Sequence, residues 1–205
     1  MGVVFADIFA GLYGVIGVQA ALAERNTNGR DQQIDISLLN CMTGVLANQA
    51  MNFLASGNTP QRLGNAHQII IPYQNFARSC GDVIVACGND RQFRALCDVV
   101  NLGHLGTDPK FATNPERVSN RAALTALLGT AIEGWGKNDL LQAVEKAVVP
   151  AGPINTVKED LEDQQIVHRC LQIDPEGVPG LRTPILFSRS KLSLTRAAPK
   201  RPFRL

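Results

Sequence analysis

The stretch Asp7-Ile8-Phe9-Ala10-Gly11-Leu12-Tyr13-Gly14-Val15-Ile16-Gly17-Val18-Gln19-Ala20-Ala21-Leu22-Ala23-Glu24-Arg25 decides how the rest of the chain reads. Ile8, Leu12, Val15, Ile16, Ala20 and Leu22 fall near helical spacing, and Asn28-Gly29 then supplies a stop. Residues 7–25 are therefore expected to form one helix. Gly11, Gly14 and Gly17 recur every three residues on or near one face. Each weakens an isolated helix by about 1 kcal/mol relative to Ala. Such a row is useful where another backbone comes close, so this helix is expected to be packed. Asp7 stands at its start. Spacing alone favours an N-cap, in which the carboxylate bonds orphan backbone N–H groups and complements the helix dipole. The same physics permits a nucleophile that forms an acyl intermediate, with nearby backbone donors stabilising an oxyanion.

Working outward, Gln33-Ile34-Asp35-Ile36-Ser37 alternates like a short strand, and Leu38 to Leu54 reads as a second apolar helix ended by Ser56-Gly57-Asn58-Thr59-Pro60. The texture changes near residue 60. Gln61 to His67 is loop, Ile69–Ile71 and Tyr73–Phe76 look extended, and a turn at Ser79-Cys80-Gly81-Asp82 leads into Val83–Ala86 to complete a hairpin. Helices are expected near 90–101, 115–134 and 138–147, so residues 66–147 form a small α+β module. Val148 to Pro153 reads as a hinge or crossing segment. A helix near 157–171 follows, with extended pieces around 171–174 and 184–187. The opening helices are very apolar and few strands are present to cover them. The chain reads like the later part of something larger.

Composition sets the outer bounds. The chain has 205 residues, 45% hydrophobic and 19% charged, enough for one sizeable core. A net charge of +2 and 5% aromatic residues argue against nucleic acid. The apolar stretches look interrupted before the roughly 18 residues of a membrane span, so no membrane is expected. Five cysteines in no metal spacing, an odd count and no signal peptide point to a reducing, cytoplasmic setting. After Glu176 there are seven cations and no acid, leaving thirteen cations against eighteen acids before it. The simplest account of that basic tail is a solvated, partly frayed end.

P-loop, dinucleotide fingerprint, nucleophile elbow and zinc motif are all absent. No metal is expected. His104 and His168 read as surface or helix-end residues. His67, in a loop with Gly64 and Asn65, is the one histidine placed near a possible site, although a structural role is the simpler reading of it.

Ala6-Asp7-Ile8-Phe9-Ala10-Gly11-Leu12-Tyr13-Gly14, Ala20 to Arg25, Asn28-Gly29-Arg30 and Gln33 to Leu39 resemble blocks of the class III CoA-transferases, the CaiB/BaiF family. The likeness continues through Arg62-Leu63-Gly64-Asn65-Ala66-His67, Pro72 to Phe76, Gly88 to Phe93 and Val149 to Asn155, in family order. The resemblance implies an α/β fold with a Rossmann-like large domain, a small α+β domain and two interlocked chains. Residues 1–65 then belong to the large domain with the catalytic-Asp helix, 66–147 to the small domain, and 148–205 return to the large one.

The resemblance also implies chemistry. Asp7 matches the nucleophile that attacks an acyl-CoA thioester and carries CoA between carboxylic acids, with CoA as substrate and no separate cofactor. Gly64, Asn65 and His67 match the loop facing the substrate, and Asp90 matches an assisting acid. In the formyl-CoA type this loop continues as a run of glycines. Here it is His67-Gln68-Ile69-Ile70-Ile71, closer to the glutarate/succinate-type or carnitine-type members and away from oxalate chemistry. Only six residues precede Asp7, whereas family chains carry about half their length there. The chain is accordingly expected to be a C-terminal portion, working as a homodimer or with an N-terminal half. The alternatives are an inactive interaction or dimerisation module and an α-methylacyl-CoA racemase-like enzyme.

Overall fold

The computed structural model describes residues 2–78 and 81–197, which divide between Arg62 and Leu63 into two compact units. In the first, helix α1 (Phe5–Asn28) starts earlier and ends later than its apolar spacing predicts. It stops at Gly29, whose φ of 71° only glycine adopts without strain and whose N–H donates to Arg25 O at 2.8 Å. The extended segment 30–37 turns back along it. Gln33–Ser37 forms no strand, and instead Ile34 and Ile36 place their side chains against the glycine face. A Cβ at Gly17 would lie 3.3 Å from Ile34 Cγ2, and one at Gly14 3.8 Å from Ile36 Cδ1. The notches therefore receive side chains of the same unit, where the sequence suggested a backbone.

The expected single helix over 38–54 is two. Helix α2 (Leu38–Gly44) begins at Ser37, whose Oγ accepts from Asn40 N–H at 3.2 Å. Helix α3 (Asn48–Ser56) follows after Ala47, whose φ of 45° cannot continue a right-handed helix. Among the described residues of this unit only Cys41 is buried, while Val15 and Ile16 are each 62% exposed. The expectation about membrane spans needs correcting too. α1 is long and apolar enough to cross a bilayer by length and composition, because its interruptions are Gly and Gln rather than charge; a core helix passes the same test.

The second unit has a real core. Strands β1 (Tyr73–Phe76) and β2 (Val83–Ala86) pair antiparallel, Phe76 opposite Val83. Ile69–Ile71 is bent chain rather than strand, and the expected Ser79-Cys80 turn lies outside the described residues. The segment read as a hinge supplies a third strand, β3 (Ala151–Pro153), with Gly152 opposite Ile84. The sheet order is β1-β2-β3, so β2 is central. Helix α4 (Asp90–Val99) is capped by Asn89, whose side chain accepts from Gln92 N–H at 3.0 Å.

The helix expected over 115–134 breaks at Asn120 into α5 (Asn114–Ser119) and α6 (Arg121–Glu133); α7 (Lys137–Lys146) follows. Val83, Val85, Phe93, Leu96, Leu124, Leu128, Ile132, Leu140 and Val144 pack into one core. Burying such a side chain stabilises the unit by about 1.5–3 kcal/mol.

The remaining chain carries α8 (Val157–Leu161), α9 (Gln164–His168) and a two-stranded ribbon of β4 (Gln172–Ile173) and β5 (Gly180–Leu181). One helix over 157–171 is ruled out by the turn at Glu162-Asp163. The extended piece expected at 184–187 is not a strand. The basic tail is only partly as expected. Arg182 is tied down, its Nε donating to Cys170 O at 2.9 Å and Nη1 to Thr183 O at 2.7 Å. Lys200, Arg201 and Arg204 lie outside the described residues.

Candidate active site

Asp7 occupies the third position of α1 rather than its cap. The N-cap is Val4, which has no side-chain acceptor to offer. Phe5 N–H bonds Val3 O and Ile8 N–H bonds Val4 O, which leaves the N–H groups of Ala6 and Asp7 without an acceptor among the described residues. The Asp7 side chain is exposed. The positive end of the helix dipole lies at this first turn. Two open N–H donors beside it are what a developing oxyanion needs.

The other four residues of interest belong to the second unit. Gly64 sits in a turn with φ of 62°, a left-handed conformation, and Asn65 follows, exposed. His67 is committed to structure. Its N–H donates to Tyr73 O at 2.8 Å, its Nδ1 accepts from Ile69 N–H at 3.3 Å, and its ring stacks on Tyr73 at 5.3 Å between centroids. Asp90 is committed as well, accepting from Arg117 Nη2 at 2.7 Å. These contacts give both residues a part in holding the second unit together. Beside the 63–66 loop lies an open cleft of about 450 Å³, lined by Leu63, Ala66, Gln74, Asn75, Arg121 and Thr125 among others.

Three residues that the sequence reading passed over organise this region. Arg117, fully buried, donates through Nε to Ile71 O at 2.6 Å and through Nη1 to Phe111 O at 2.9 Å. Asn114 Nδ2 donates to Ile69 O at 2.7 Å, and its Oδ1 accepts from Ile71 N–H at 3.2 Å. Arg121 Nη2 donates to His67 O at 2.9 Å and Gln68 O at 2.6 Å, and burial lowers the Arg121 pKa from its ordinary value. No residue pattern signals them: the groups they hold are mostly main-chain atoms, and the helical stripe through Arg117 and Arg121 is broken at Asn120.

Cys87 and Cys97 are not candidates for chemistry. Burial pushes both thiols up to about 12, helped at Cys87 by neighbouring Cys97 and at Cys97 by Asp98. Among the described residues no three His, Cys, Asp or Glu side chains gather as a metal would require.

The model of CoA-transferase family III matches residues 1–202. The chain belongs to that family. It is 44% identical over 204 residues to the succinate–glutarate CoA-transferase of Agrobacterium fabrum, covering 97% of this chain and 51% of that protein. It is 33% identical over 187 residues to the acetyl-CoA:oxalate CoA-transferase of Acetobacter aceti, covering 91% of this chain and 48% of the relative. A crystal structure of a CaiB/BaiF family protein from Brucella suis superposes with a TM-score of 0.82 at 55% identity, covering 98% of this chain and 53% of its own. The mixed helix-and-sheet fold of this family III chain is thus that of its relatives. The chain spans about half the length of each of them.

Proposed function

We propose that the chain supplies the acyl-carrying carboxylate, Asp7, of a CoA-transferase that moves CoA from an acyl-CoA to a carboxylic acid. The observation that carries this reading is the exposed Asp7 in the first turn of α1, beside open N–H groups, in a chain matched to family III along nearly its whole length.

Asp7 attacks the thioester carbonyl, the C–S bond breaks, and CoA leaves as thiolate from a mixed anhydride. The thiolate then attacks the aspartyl carbonyl, releasing the donor acid as its carboxylate and forming an aspartyl-CoA thioester. The acceptor carboxylate displaces CoA from that thioester to give a second anhydride. CoA thiolate finally attacks the acceptor's acyl carbon, which frees Asp7. Each tetrahedral step places negative charge on an oxygen, where the N–H groups of Ala6 and Asp7 are suited to receive it.

CoA is a substrate in this scheme and no cofactor is consumed. Dicarboxylic acids of the succinate and glutarate type are the proposed acids, since the relative at 44% identity is named for them. Oxalate belongs in the same panel because of the Acetobacter aceti relative.

The exposed apolar face of α1 supports a second reading, in which the chain pairs with a second copy or with an N-terminal half and has no turnover alone. One experiment separates them. The chain, alone and complemented with the N-terminal half of the Agrobacterium fabrum relative, is incubated with succinyl-CoA and quenched with hydroxylamine. A hydroxamate on the Asp7 peptide, absent in Asp7→Asn, supports the transferase. No adduct in either preparation overturns it and leaves pairing. Uptake of solvent deuterium at the α-carbon, without CoA exchange, would favour the racemase-like alternative.

A further inference from the structure

Leu38 to Leu54 carries the apolar spacing of one helix, with Ser37 to cap its start and Gly57, at φ 71°, to end it. The chain turns at Ala47 instead. Gln49 N–H donates to Leu46 O at 2.9 Å, and between them Ala47 has φ 45° and ψ −117°. Those angles lie close to the first central position of a type II′ turn, a place for glycine. An alanine there is strained by its Cβ. The turn also leaves the N–H groups of Ala47 and Asn48 without an acceptor among the described residues, where a continuous helix would offer Thr43 O and Gly44 O. Gln49 Oε1 and Asn52 Nδ2 are buried with no partner, a further cost of the turn.

Against these costs stands only the half-burial of Gln49, Ala50 and Asn52, since no residue of α3 is fully buried. Backbone strain persists where the surroundings enforce it, and burial this slight enforces it weakly. We propose that Ala47 is a hinge between two states of residues 38–56, the turn seen here and a continuous helix about 28 Å long. The two are balanced closely enough for the side chain at 47 to choose between them. α2 packs on α1, where a Cβ at Gly44 would lie 3.9 Å from the Tyr13 hydroxyl, so α3 is the part that moves. It carries exposed Met51, Phe53 and Leu54, whose place on the surface of the first unit follows the hinge. The hinge lies wholly within that unit and does not depend on the chemistry proposed above.

Substitution at position 47 in the whole 205-residue chain tests this, because the two states rank side chains in opposite order. Inside a helix glycine is worse than alanine; at this turn it is better. Ala47→Gly should slow hydrogen exchange of the most protected α1 amides about threefold, while the amides at 47 and 48 stay open. Ala47→Val places a branched side chain where positive φ tolerates it least. It should bring out the continuous helix, slowing the amides at 47 and 48 at least about tenfold against the parent. Ala47→Leu, a good helix former equally strained at the turn, should do the same. Unchanged or faster α1 exchange in Ala47→Gly overturns the hinge, because the turn is then not under strain. Open amides at 47 and 48 in both Ala47→Val and Ala47→Leu overturn it as well, since no second state then exists.

Discussion

The guanidinium of Arg117 lies over the ring of Phe93, 4.4 Å from its centroid, with both side chains closed off from solvent. A buried cation needs hydrogen-bond partners, and here each of its three nitrogens has an acceptor in Ile71 O, Phe111 O or Asp90. Arg117→Met would fill the space but orphan all three acceptors. It should lower stability by about 3–5 kcal/mol. Asp90→Asn keeps an acceptor at a half-exposed position and should cost only about 1 kcal/mol. Urea unfolding of the two variants checks the ratio, and equal losses would contradict this account of the cluster.

Two glycines of α1 should respond oppositely. Nothing lies within 4 Å of a Cβ built at Gly11, whereas Gly17 faces Ile34 at 3.3 Å. In the 205-residue chain, Gly11→Ala should stabilise the helix by up to about 1 kcal/mol. Gly17→Val should displace Ile34 and cost about 1–3 kcal/mol. Thermal unfolding followed by circular dichroism distinguishes them.

Thiol reactivity should follow burial. Cys170 is exposed and should be labelled by a maleimide in the native state, while Cys87 and Cys97 should be labelled only on unfolding. Their thiols sit near 12 in the folded chain against an ordinary 9.0, so the folded state holds those protons more tightly. Their contribution to stability is complete below about pH 9 and declines as pH rises toward 12. Peptide mapping of labelled protein, with unfolding curves at alkaline pH, provides the check.

At acid pH the capping box of α8 matters. Glu159 accepts from Thr156 N–H at 2.7 Å and stands 3.7 Å from Lys137 Nζ, and its carboxyl is held below its ordinary 4.5, chiefly by that backbone bond and then by the Thr156 hydroxyl and Lys137. A depressed carboxyl stabilises above its unfolded pKa and loses that contribution as pH falls through the folded one. Glu159→Gln should therefore shallow the pH dependence of stability below about pH 4.5, leaving the neutral-to-alkaline range unaffected. Denaturant midpoints of parent and variant across that range decide it.

How much of this was legible beforehand varied with the kind of signal. The α4 and α7 spans, the hairpin and the core positions Phe93, Leu96, Leu124 and Leu128 follow from periodicity, because burial repeats where apolar side chains repeat. The breaks at Ala47 and Asn120 did not show, since each depends on a single residue's backbone angles within an otherwise helical pattern. Ile34 and Ile36 alternated as a strand does, but they alternate against a helix face. β3 was hidden because Ala-Gly-Pro carries turn residues, and only its partner in β2 makes it a strand. For the candidate site, Asp7 could be found from its block. The cluster of Asn114, Arg117 and Arg121 could not, because most of its partners are main-chain atoms, which no residue type announces.

The lateness of β3 has a bearing on how the chain is made. Synthesis delivers β2 long before its partner at Ala151–Pro153, with all of α4 to α7 emerging in between. Until then one edge of β2 is unpaired, and it carries Val83 and Val85, both destined for the core. A nascent chain at that stage offers a short apolar strand edge to any neighbour, the usual invitation to intermolecular pairing. Contacts this distant in sequence also form slowly. The risk ends only when the ribosome has passed Pro153, which makes the last strand of the small sheet its guard against aggregation.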